Sequence, residues 1–317
     1  MAQDADVLIV GAGLSGLTAA RALRDHGVST IVLDKGRGVG GRMATRRLSE
    51  GTIADHGAQF FTARDPRFAA LVEQWLRAGE ASEWSRGFEE PFDGHPRYRG
   101  VRSMNALAKQ LATGLDVRLQ VRVQRVHRRA DGFEVECEGD GRALLRSAQV
   151  LLTAPVPQSL ELYPEGANDA LRAIDYERCL AVMVRLARPS RLRAPGVKRF
   201  SSGPLAWIAD NQHKGISAAP CLTIHAGAEF SLRHWDEDRR TVGHELLRLA
   251  GEWIDGAVLD FEVHGWRYST PLTVLPERCV TLSREPLALL AGDACGGPRV
   301  EGAVLSGWAA AETFLQA

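Results

Sequence analysis

Apolar residues at the start of the chain follow first a strand pattern and then a helix pattern. Residues 7–10 form a β-branched run that ends at a glycine, which is typical of a buried parallel strand. Residues 14–26 carry apolar side chains at helical spacing, and Gly27 is a suitable helix stop. Residues 30–33 predict a second strand that ends at Asp34. The pattern therefore predicts a βαβ unit of about 30 residues, the usual size of this motif.

The rest of the chain mixes both periods. Helical spacing predicts helices at residues 66–77, 104–115, 230–254 and 302–315. Alternating or continuous apolar runs predict strands at residues 117–123, 133–137, 149–153, 181–187, 205–209, 221–226, 258–268 and 287–291. Residues 36–47 are expected to form a polar Gly/Arg loop, and residues 80–100 irregular surface structure. The mixture places the chain among α/β proteins.

Composition excludes several classes of protein. The 317 residues carry no formal net charge, with 45% hydrophobic and 25% charged residues, so a nucleic-acid partner is not expected. The five cysteines are widely spaced without a C-x-x-C pair, which argues against a disulfide framework or a metal site and fits a reducing compartment. No apolar run has the length of a membrane helix, and the acidic N-terminus is unlike a signal peptide. We therefore expect a cytoplasmic protein without a membrane partner.

The turn after the first strand has the sequence Gly11-Ala12-Gly13-Leu14-Ser15-Gly16, a G-x-G-x-x-G motif. The first glycine permits a tight turn, the second lets the backbone approach a pyrophosphate, and the third lets the helix pack on the strand. The helix N-terminus offers N–H groups and a positive dipole end to phosphates. Asp34 is placed to bind ribose hydroxyls. The motif predicts a dinucleotide site without deciding between FAD and NAD.

A second glycine-rich segment favours FAD. Residues 36–42, GRGVGGR, resemble the second signature of glutathione-reductase-type FAD proteins related to the flavin amine oxidases. Gly40 and Gly41 allow close backbone approach, and Arg42 can pair with a phosphate.

Two C-terminal segments point the same way. The FAD proteins that residues 36–42 resemble use an apolar strand with a Gly-Asp pair near the C-terminus to reach the flavin, and here such a strand ends at Gly292-Asp293. The resemblance implies that this carboxylate accepts hydrogen bonds from ribityl hydroxyls or lies near the pyrophosphate. A helix that starts near Glu301 would direct its N–H groups and dipole at the N1/O2 edge of a reduced flavin.

The segment 55–68, DHGAQFFTARDPRF, resembles the D-H-G-A-Q-x-F-T-A-R block of the bacterial renalase-like FAD oxidoreductases. Segments 207–211, 222–226, 266–268 and 300–303 also resemble that family, so the resemblance spans the chain. It implies an α/β fold with an α+β substrate lobe, namely the two-lobe FAD fold of the glutathione-reductase/p-hydroxybenzoate-hydroxylase type with a Rossmann βαβ unit. It places an FAD-binding domain at residues 1–70, 101–155 and 280–317, and a substrate-binding domain at residues 71–100 and 156–279.

The resemblance also implies an activity. Such oxidases take a hydride from the 2- and 6-dihydro isomers of NAD(P)H, and O2 reoxidises the flavin to give H2O2 and NAD(P)+. A donor of this kind is already activated, so it needs a flat surface over the flavin ring rather than a strong base. The FAD is expected to be non-covalent, with Cys295 interpreted as a free buried cysteine rather than an attachment point.

Two sets of site residues follow from these motifs and the resemblance. The predicted cofactor-binding residues are Gly11, Gly13, Leu14, Ser15, Gly16, Asp34, Lys35, Gly40, Gly41, Arg42, His56, Gly57, Ala58, Gln59, Phe60, Val123, Gly292, Asp293, Glu301, Gly302 and Ala303. The predicted catalytic residues are Phe61, Trp207, Asn211, His225, Trp266 and Tyr268, with Trp308 as a further ring of the substrate slot. Aromatic rings pack against planar substrates, and His225 or Asn211 could hydrogen-bond a carboxamide. Within the block, Gln59 is the candidate neighbour of the flavin ring, whereas His56 is interpreted as structural.

Three other functions remain open. A flavin amine oxidase would place a lysine near flavin N5, but of the four lysines Lys35 belongs to the ADP end, Lys109 to a helix, and Lys198 and Lys214 to polar loops. An FAD-binding protein without turnover, acting as a sensor or scaffold, is a second alternative. A hydroxylase of the same fold is a third, although the sequence has no separate NADPH loop.

Overall fold

The computed structural model describes residues 3–89, 91–139 and 141–317. The strands in chain order are β1 Ala5–Val10, β2 Thr30–Asp34, β3 Thr45–Arg47, β4 Ile53–Asp55, β5 Ala81–Ser85, β6 Arg97–Gly100, β7 Asp116–Leu119, β8 Arg122–Arg129, β9 Gly132–Gly139, β10 Gly141–Leu152, β11 Tyr176–Leu186, β12 Val197–Arg199, β13 Leu205–Asp210, β14 Cys221–Ala226, β15 Val258–Pro271, β16 Cys279–Arg284 and β17 Leu287–Ala291. The helices are α1 Leu14–Asp25, α2 Pro66–Arg77, α3 Met104–Ala112, α4 Val156–Leu162, α5 Asp169–Arg172, α6 Ala228–Arg233, α7 Arg239–Leu249 and α8 Arg299–Gln316. In this part of the chain, none of the helices is long and apolar enough to cross a membrane.

The chain divides into two compact units. Unit 1 comprises the chain up to Gly41 together with Ala108–Asp175 and Thr270–Ala317, and unit 2 comprises Arg42–Leu107 and Tyr176–Ser269. The predicted domain boundaries lie elsewhere, after residues 70, 100, 155 and 279, so residues 42–70 fall in unit 2. The assignment of cofactor and substrate binding to the predicted domains stays a prediction.

Unit 1 is built on an eight-stranded sheet with the order β16-β17-β10-β1-β2-β7, to which β8 and β9 are joined by the pairing of β9 with β10. β1 runs parallel to both β10 and β2, and β10 runs parallel to β17. The apolar runs of β1 and β2 suit strands that are buried on both faces, as in other parallel sheets. The predicted βαβ unit and the α/β fold class are therefore confirmed.

Helices α1 and α8 pack closely within unit 1. A Cβ atom added at Gly307 of α8 would lie 2.3 Å from the backbone oxygen of Ser15, so glycine is needed for the two helices to approach. The inner side of α1 is covered by Leu17, Ala20 and Leu23, which are completely buried. This packing holds the first turn of α1 at a fixed place beside the sheet.

Unit 2 contains a second sheet with the order β12-β13-β14-β11-β15. The apolar side chains of β11 and β14 pack with those of α7, and Val182, Ile224 and Leu246 in this core are completely buried. Two short ribbons, β3-β4 and β5-β6, complete the unit. Asp65 caps the N-terminus of α2 by accepting from the backbone amide of Arg67 at 2.9 Å, which is why α2 begins where the sequence predicts.

Two predicted elements were wrong in detail. Residues 80–100 contain the β5-β6 ribbon rather than only irregular structure. The prediction missed this ribbon because the short polar strand of residues 81–85 lacks an apolar alternation. The alternation from residue 117 to 137 predicts a β-meander or hairpin, and β8 and β9 do pair as a hairpin, but residues 117–123 are divided between β7 and β8. The chain breaks between them at Gln120, whose φ of 60° lies in the left-handed region and ends an extended segment.

Candidate functional site

The first candidate site lies at one edge of the sheet of unit 1. Strands β1, β2, β10 and β17 run parallel, so their carboxyl ends meet at that edge. Gly11, Thr153 and Gly292 directly follow three of these strands, and Asp34 ends β2. Ligands of doubly wound sheets bind beyond the carboxyl ends of the strands. The fold thus brings together glycine motifs that lie at opposite ends of the sequence.

The three glycines of the motif are required for different reasons. Gly11 has a φ of +113°, and a Cβ added at Gly16 would lie 2.1 Å from the oxygen of Gly11. The turn itself therefore needs both residues. Gly13 has an extended backbone with φ −75° and ψ 179°, and a Cβ added there would meet no protein atom within 4 Å. Glycine at this position leaves the backbone open to a ligand.

The first turn of α1 offers hydrogen-bond donors to that open space. Gly13 is the N-cap of the helix and provides no side-chain cap for its first N–H groups. The hydroxyl of Ser15, a residue only 4% exposed, has no hydrogen-bond partner among the described residues. Buried polar groups are normally paired, so an uncapped helix end beside an unpaired hydroxyl fits a pyrophosphate. The residues present therefore fit the ADP part of FAD.

Asp34 has a structural role that the sequence did not reveal. One carboxylate oxygen accepts from the amide of Ala12 at 2.7 Å, and the other accepts from the amide of Gly36 at 2.7 Å. The amide of Gly40 in turn donates to the oxygen of Ala12 at 2.8 Å. Asp34 thereby holds the two glycine-rich loops together, and its remaining lone pairs stay available for the predicted ribose contact. Gly41 also lies close to the first loop, since a Cβ added to it would lie 3.6 Å from the Cα of Gly13.

A serine of α8 links the C-terminal Gly292-Asp293 segment to the same edge of the sheet. The amide of Gly292 donates to the hydroxyl of Ser306 in α8 at 2.8 Å, and that hydroxyl donates to the oxygen of Arg278 at 2.5 Å. Gly302 is required where α8 begins, because a Cβ there would lie 1.9 Å from the oxygen of Gly297. Asp293 is 7% exposed. Ser306 is a positioning residue that no motif predicted.

The other cofactor candidates of unit 1 differ in exposure. Lys35 is exposed, Leu14 is buried in the first turn of α1, and Glu301 and Ala303 are half-buried on the first turn of α8. Val123 is 8% exposed and packs in the core of unit 1, so any contact it makes with a cofactor has to come from its backbone. Trp308 is half-buried on α8.

The second candidate site lies in unit 2 and is organised around Asp55, at the end of β4. Its carboxylate pairs with the ammonium of Lys214 at 2.7 Å, and both side chains are completely buried. The other carboxylate oxygen accepts from the hydroxyl of Thr45 at 2.5 Å and from the amide of Met104 at 3.1 Å. Burial lowers the pKa of Lys214, and the neighbouring carboxylate of Asp55 opposes that effect. Asp55 therefore ties three separate chain segments to the start of the loop that carries His56–Phe60.

Lys214 lies in a loop, as the sequence predicts, but its side chain is buried rather than solvated. It follows β13 by four residues, and its neighbours Gln212 and His213 made the segment look solvated. The side chain folds inward because Asp55 supplies the opposite charge that a buried ammonium requires. The sequence alone could not predict this pair, since the two residues are 159 positions apart.

Backbone groups of the same loop are held by side chains from β14 and β15. The oxygen of His56 accepts from Nε2 of His225 at 3.0 Å and from Nε1 of Trp266 at 2.8 Å. Burial lowers the pKa of His56 to about 3, with a further contribution from His264, and burial lowers the pKa of His225 to about 4. Both imidazoles are therefore neutral near pH 7. They serve as hydrogen-bonding groups rather than as cations.

Gln59 stabilises the loop from within. Its amide nitrogen donates to the oxygen of Asp55 at 2.7 Å and to the oxygen of Gly57 at 3.1 Å. Its own oxygen and Nδ1 of His56 are buried without a partner among the described residues. Gly57 is fixed by a close approach, because a Cβ there would lie 2.0 Å from the oxygen of Arg42.

Arg42 and Ala58 belong to the same arrangement. The amide of Ala58 donates to the oxygen of Arg42 at 2.8 Å. The guanidinium of Arg42 donates to the oxygen of Ser269 at 3.3 Å and lies 5.9 Å from the ring centre of Tyr176. The predicted phosphate contact of Arg42 stays a prediction.

Four rings of unit 2 form a continuous group, called the aromatic cluster below. Phe60 stacks on Trp207 at 5.7 Å between ring centres, and Phe88 contacts Phe60 at 5.0 Å and Trp84 at 5.1 Å. Nε1 of Trp207 is buried without a partner in the described part of the chain, although the residue is 9% exposed. Trp207 and His225 lie opposite each other in the β13-β14 register. A flat ligand could stack on such rings and accept a hydrogen bond from the indole.

Phe61, one of the predicted catalytic residues, is buried away from the aromatic cluster, and its catalytic role stays a prediction. Phe61 is 3% exposed and packs against Phe68, Trp75 and Tyr98, so its neighbour Phe60 supplies the ring of the aromatic cluster. The strand-like alternation of residues 60 and 61 gave no means to distinguish these two faces.

Asn211 is completely buried, and its amide donates to the hydroxyl of Thr223 at 2.9 Å. Its oxygen accepts from the amide of Asp55 at 3.3 Å. It is therefore a positioning residue. Tyr268 is half-buried against Tyr176, at 5.5 Å between ring centres, and its catalytic role stays a prediction.

The cysteines and the other potential metal ligands are a further group of candidate functional residues. All five cysteines are free, and burial raises the pKa of Cys295 to about 12. Among the described residues, no group of three or more His, Cys, Asp or Glu side chains is arranged to hold a metal ion.

Comparison with known proteins defines the class. A family model described as an NAD(P)-binding Rossmann-like domain matches residues 9–75, and one described as flavin containing amine oxidoreductase matches residues 82–315. The protein is thus an FAD-dependent oxidoreductase. Since the second model covers more than half of the chain, the chain belongs to the flavin-containing amine oxidoreductase family.

Individual relatives match over shorter stretches. The chain is 40% identical to an L-amino acid dehydrogenase of Synechocystis sp. over 22% of its own length and 15% of that protein. It is 34% identical to amine oxidase [flavin-containing] B of Homo sapiens over 23% and 14%, and 26% identical to digeranylgeranylglycerophospholipid reductase 2 of Methanosphaera stadtmanae over 49% and 40%. The matched segments thus span at most 40% of these relatives.

Solved structures show the same fold over the whole chain. A putative protoporphyrinogen oxidase from Exiguobacterium sp. 255-15 is similar with a TM-score of 0.74 at 14% identity, covering 100% of both chains. Putrescine oxidase bound to putrescine is similar with a TM-score of 0.73 at 16% identity, covering 99% of both chains. At such identities the likeness concerns the fold alone.

Proposed function

We propose that this protein oxidises the 2- and 6-dihydro isomers of NAD(P)H to NAD(P)+, with O2 as the final acceptor and H2O2 as the second product. FAD, when bound, supplies the hydride acceptor and the reaction with O2. The chain's own residues then have to bind a planar dihydronicotinamide and orient its carboxamide.

The observation that supports this proposal is the pair of stacked rings Phe60 and Trp207, together with the unpaired indole nitrogen of Trp207. The stacked faces suit a planar heterocycle, and the buried N–H suits the oxygen of a carboxamide. An unpaired buried donor costs free energy unless a ligand satisfies it, so it favours a ligand that carries an acceptor at that position.

The titration behaviour of the neighbouring groups is consistent with a hydride donor that needs no deprotonation. His56 and His225 are neutral at physiological pH because burial lowers the pKa of each. The carboxylate of Asp55 is already engaged by Lys214, Thr45 and the amide of Met104. These groups hold the loop, and an activated dihydronicotinamide does not require them as a base.

Amine oxidation is the second candidate, and family membership favours it. The buried position of Lys214 also removes part of the argument from the lysines that was made against it. An assay of peroxide formation separates the two functions. We expect turnover with 2- and 6-dihydro-NAD(P) and none with a panel of primary amines, whereas turnover of amines alone would contradict the proposal.

A variant tests the role of the indole. Trp207→Phe keeps a flat ring and removes the N–H, and a neutral hydrogen bond contributes about 0.5–1.5 kcal/mol, so we expect KM to rise about two- to twelvefold. Trp253→Phe is the control, since Trp253 packs against Phe200 elsewhere in unit 2. Equal changes in both variants would show that the indole of Trp207 has no specific role.

A further inference from the structure

The aromatic cluster has the composition of a binding site for organic cations. Ring faces carry negative charge density and attract ammonium groups, and several rings together commonly form such a site. Phe60, Trp84, Phe88 and Trp207 contact one another with ring centres 5.0–5.7 Å apart. By this chemistry alone, the cluster would accept an amine.

Two of these rings, however, already face cations of the chain itself. Nζ of Lys214 lies 5.1 Å from the ring centre of Trp84, and the guanidinium carbon of Arg97 lies 5.8 Å from that of Phe88. A second cation at the cluster would meet like charge at short range. In addition, the negative faces of two rings would already be occupied by cations of the chain.

Both cations are paired with carboxylates. The ammonium of Lys214 pairs with Asp55 at 2.7 Å, and Arg99 adds a further positive charge that acts on the same carboxylate. Arg97 is balanced by Asp93, whose side chain is half exposed and therefore screened by solvent. Although each is paired with a carboxylate, the cationic ends of Lys214 and Arg97 lie directly against ring faces of the cluster.

We propose that Lys214 and Arg97 are specificity-determining residues that exclude organic ammonium ions from the aromatic cluster and leave it to neutral or anionic planar ligands. The proposal deepens the proposed function, on which its biological meaning rests, because a dihydronicotinamide ring is neutral and its dinucleotide carries negative phosphates. It also gives a physical reason for a member of an amine oxidoreductase family not to use amines.

The test is equilibrium binding, which needs no turnover. The FAD-loaded protein is titrated by calorimetry with benzyltrimethylammonium, a permanent cation, and with N-benzylacetamide, a neutral ligand with the same benzyl group. The measured quantity is the ratio of the two dissociation constants. Because the ratio concerns binding alone, it is informative even if the protein fails to oxidise dihydronicotinamides.

The decisive variant is Asp55→Asn/Lys214→Met, which removes both members of the buried pair. Removing Lys214 alone would leave an uncompensated buried carboxylate, whereas a neutral pair of similar volume is often tolerated. The double change leaves the net charge the same, so any shift reports the freed face of Trp84, and we expect the ratio to shift about tenfold in favour of the cation. An unchanged ratio in the folded variant would overturn the role of Lys214.

A second variant, Asp93→Asn/Arg97→Gln, removes both members of a pair in which Asp93 is half exposed and the Arg97 side chain is 14% exposed, and it too leaves the net charge unchanged. We expect a shift in the same direction of about threefold, and an unchanged ratio would overturn the role of Arg97. If the first variant does not fold, the second decides the proposal. Arg185→Met/Asp260→Asn is the matched control, because it also removes one cation and one anion of a pair in unit 2; a shift there as large as in the test variants would contradict the proposal.

Discussion

Gly13 makes it possible to separate a glycine that the fold needs from one that a ligand needs. Its backbone is extended, with φ −75° and ψ 179°, and a Cβ there would meet no protein atom within 4 Å. Gly13→Glu should therefore fold. Its cost in stability should stay below about 1 kcal/mol, the usual scale for a change of an N-cap residue.

The same variant should lose FAD. A carboxylate about 5 Å from one phosphate charge costs about 3 kcal/mol at an effective dielectric constant near 20, which corresponds to a loss of affinity of roughly 100-fold. The assay compares the FAD dissociation constant, followed by flavin fluorescence, with the melting temperature of the protein without FAD. We expect weak binding and an almost unchanged melting temperature.

Gly251→Glu is the control, since Gly251 also has open space around it and lies outside unit 1. It should retain FAD with wild-type affinity. Full retention of FAD by Gly13→Glu would refute the assignment of the pyrophosphate to this turn. A large drop in its melting temperature without FAD would show that the space beside Gly13 is smaller than described.

Three further predictions concern stability. Gly16→Ala should destabilise the protein with or without FAD, because its Cβ would lie 2.1 Å from the oxygen of Gly11; equal melting temperatures for variant and wild type would contradict this. Asn211→Ala should cost about 1–3 kcal/mol in urea unfolding, since it leaves the amide of Asp55 buried without its partner and removes a donor from the hydroxyl of Thr223, which keeps its own bond to the oxygen of Asp55. A loss near zero would speak against this role. Burial lowers the pKa of His56 to about 3 and that of His225 to about 4, so the unfolded chain binds more protons than the folded one below about pH 6.5. The contribution of these two neutral histidines to stability is complete above that pH and is lost as the pH falls from 6.5 towards 3. The urea midpoint should therefore decrease as the pH is lowered from 7 to 4.5, and a midpoint that does not change with pH would contradict this contribution.

The cofactor side of the fold could be predicted from sequence because local motifs determine it. Gly11 and Gly16 are required by contacts within a few residues, and the strand and helix around them follow from short apolar runs. Asp34 was recognised for its position, but its bonds to Ala12 and Gly36 depend on how two loops meet.

The substrate side was harder to predict because its contacts are distant in sequence. Asp55 and Lys214 are 159 residues apart, and a lysine among polar neighbours gives no sign of burial. Trp84 and Phe88 lie in a segment without a regular apolar pattern, so the aromatic cluster emerges only from the folding of unit 2. Phe61 illustrates the same limit, because adjacent phenylalanines in an extended segment face opposite sides.

Anaerobic reduction of the bound flavin tests the central claim most directly. The FAD-loaded protein is mixed without O2 with 2-dihydro-NAD, 6-dihydro-NAD, ordinary NADH or a primary amine, and the visible flavin absorbance is followed. We expect rapid bleaching by the two isomers, little by NADH and none by the amine. Bleaching by the amine with no response to either isomer would contradict the proposed function.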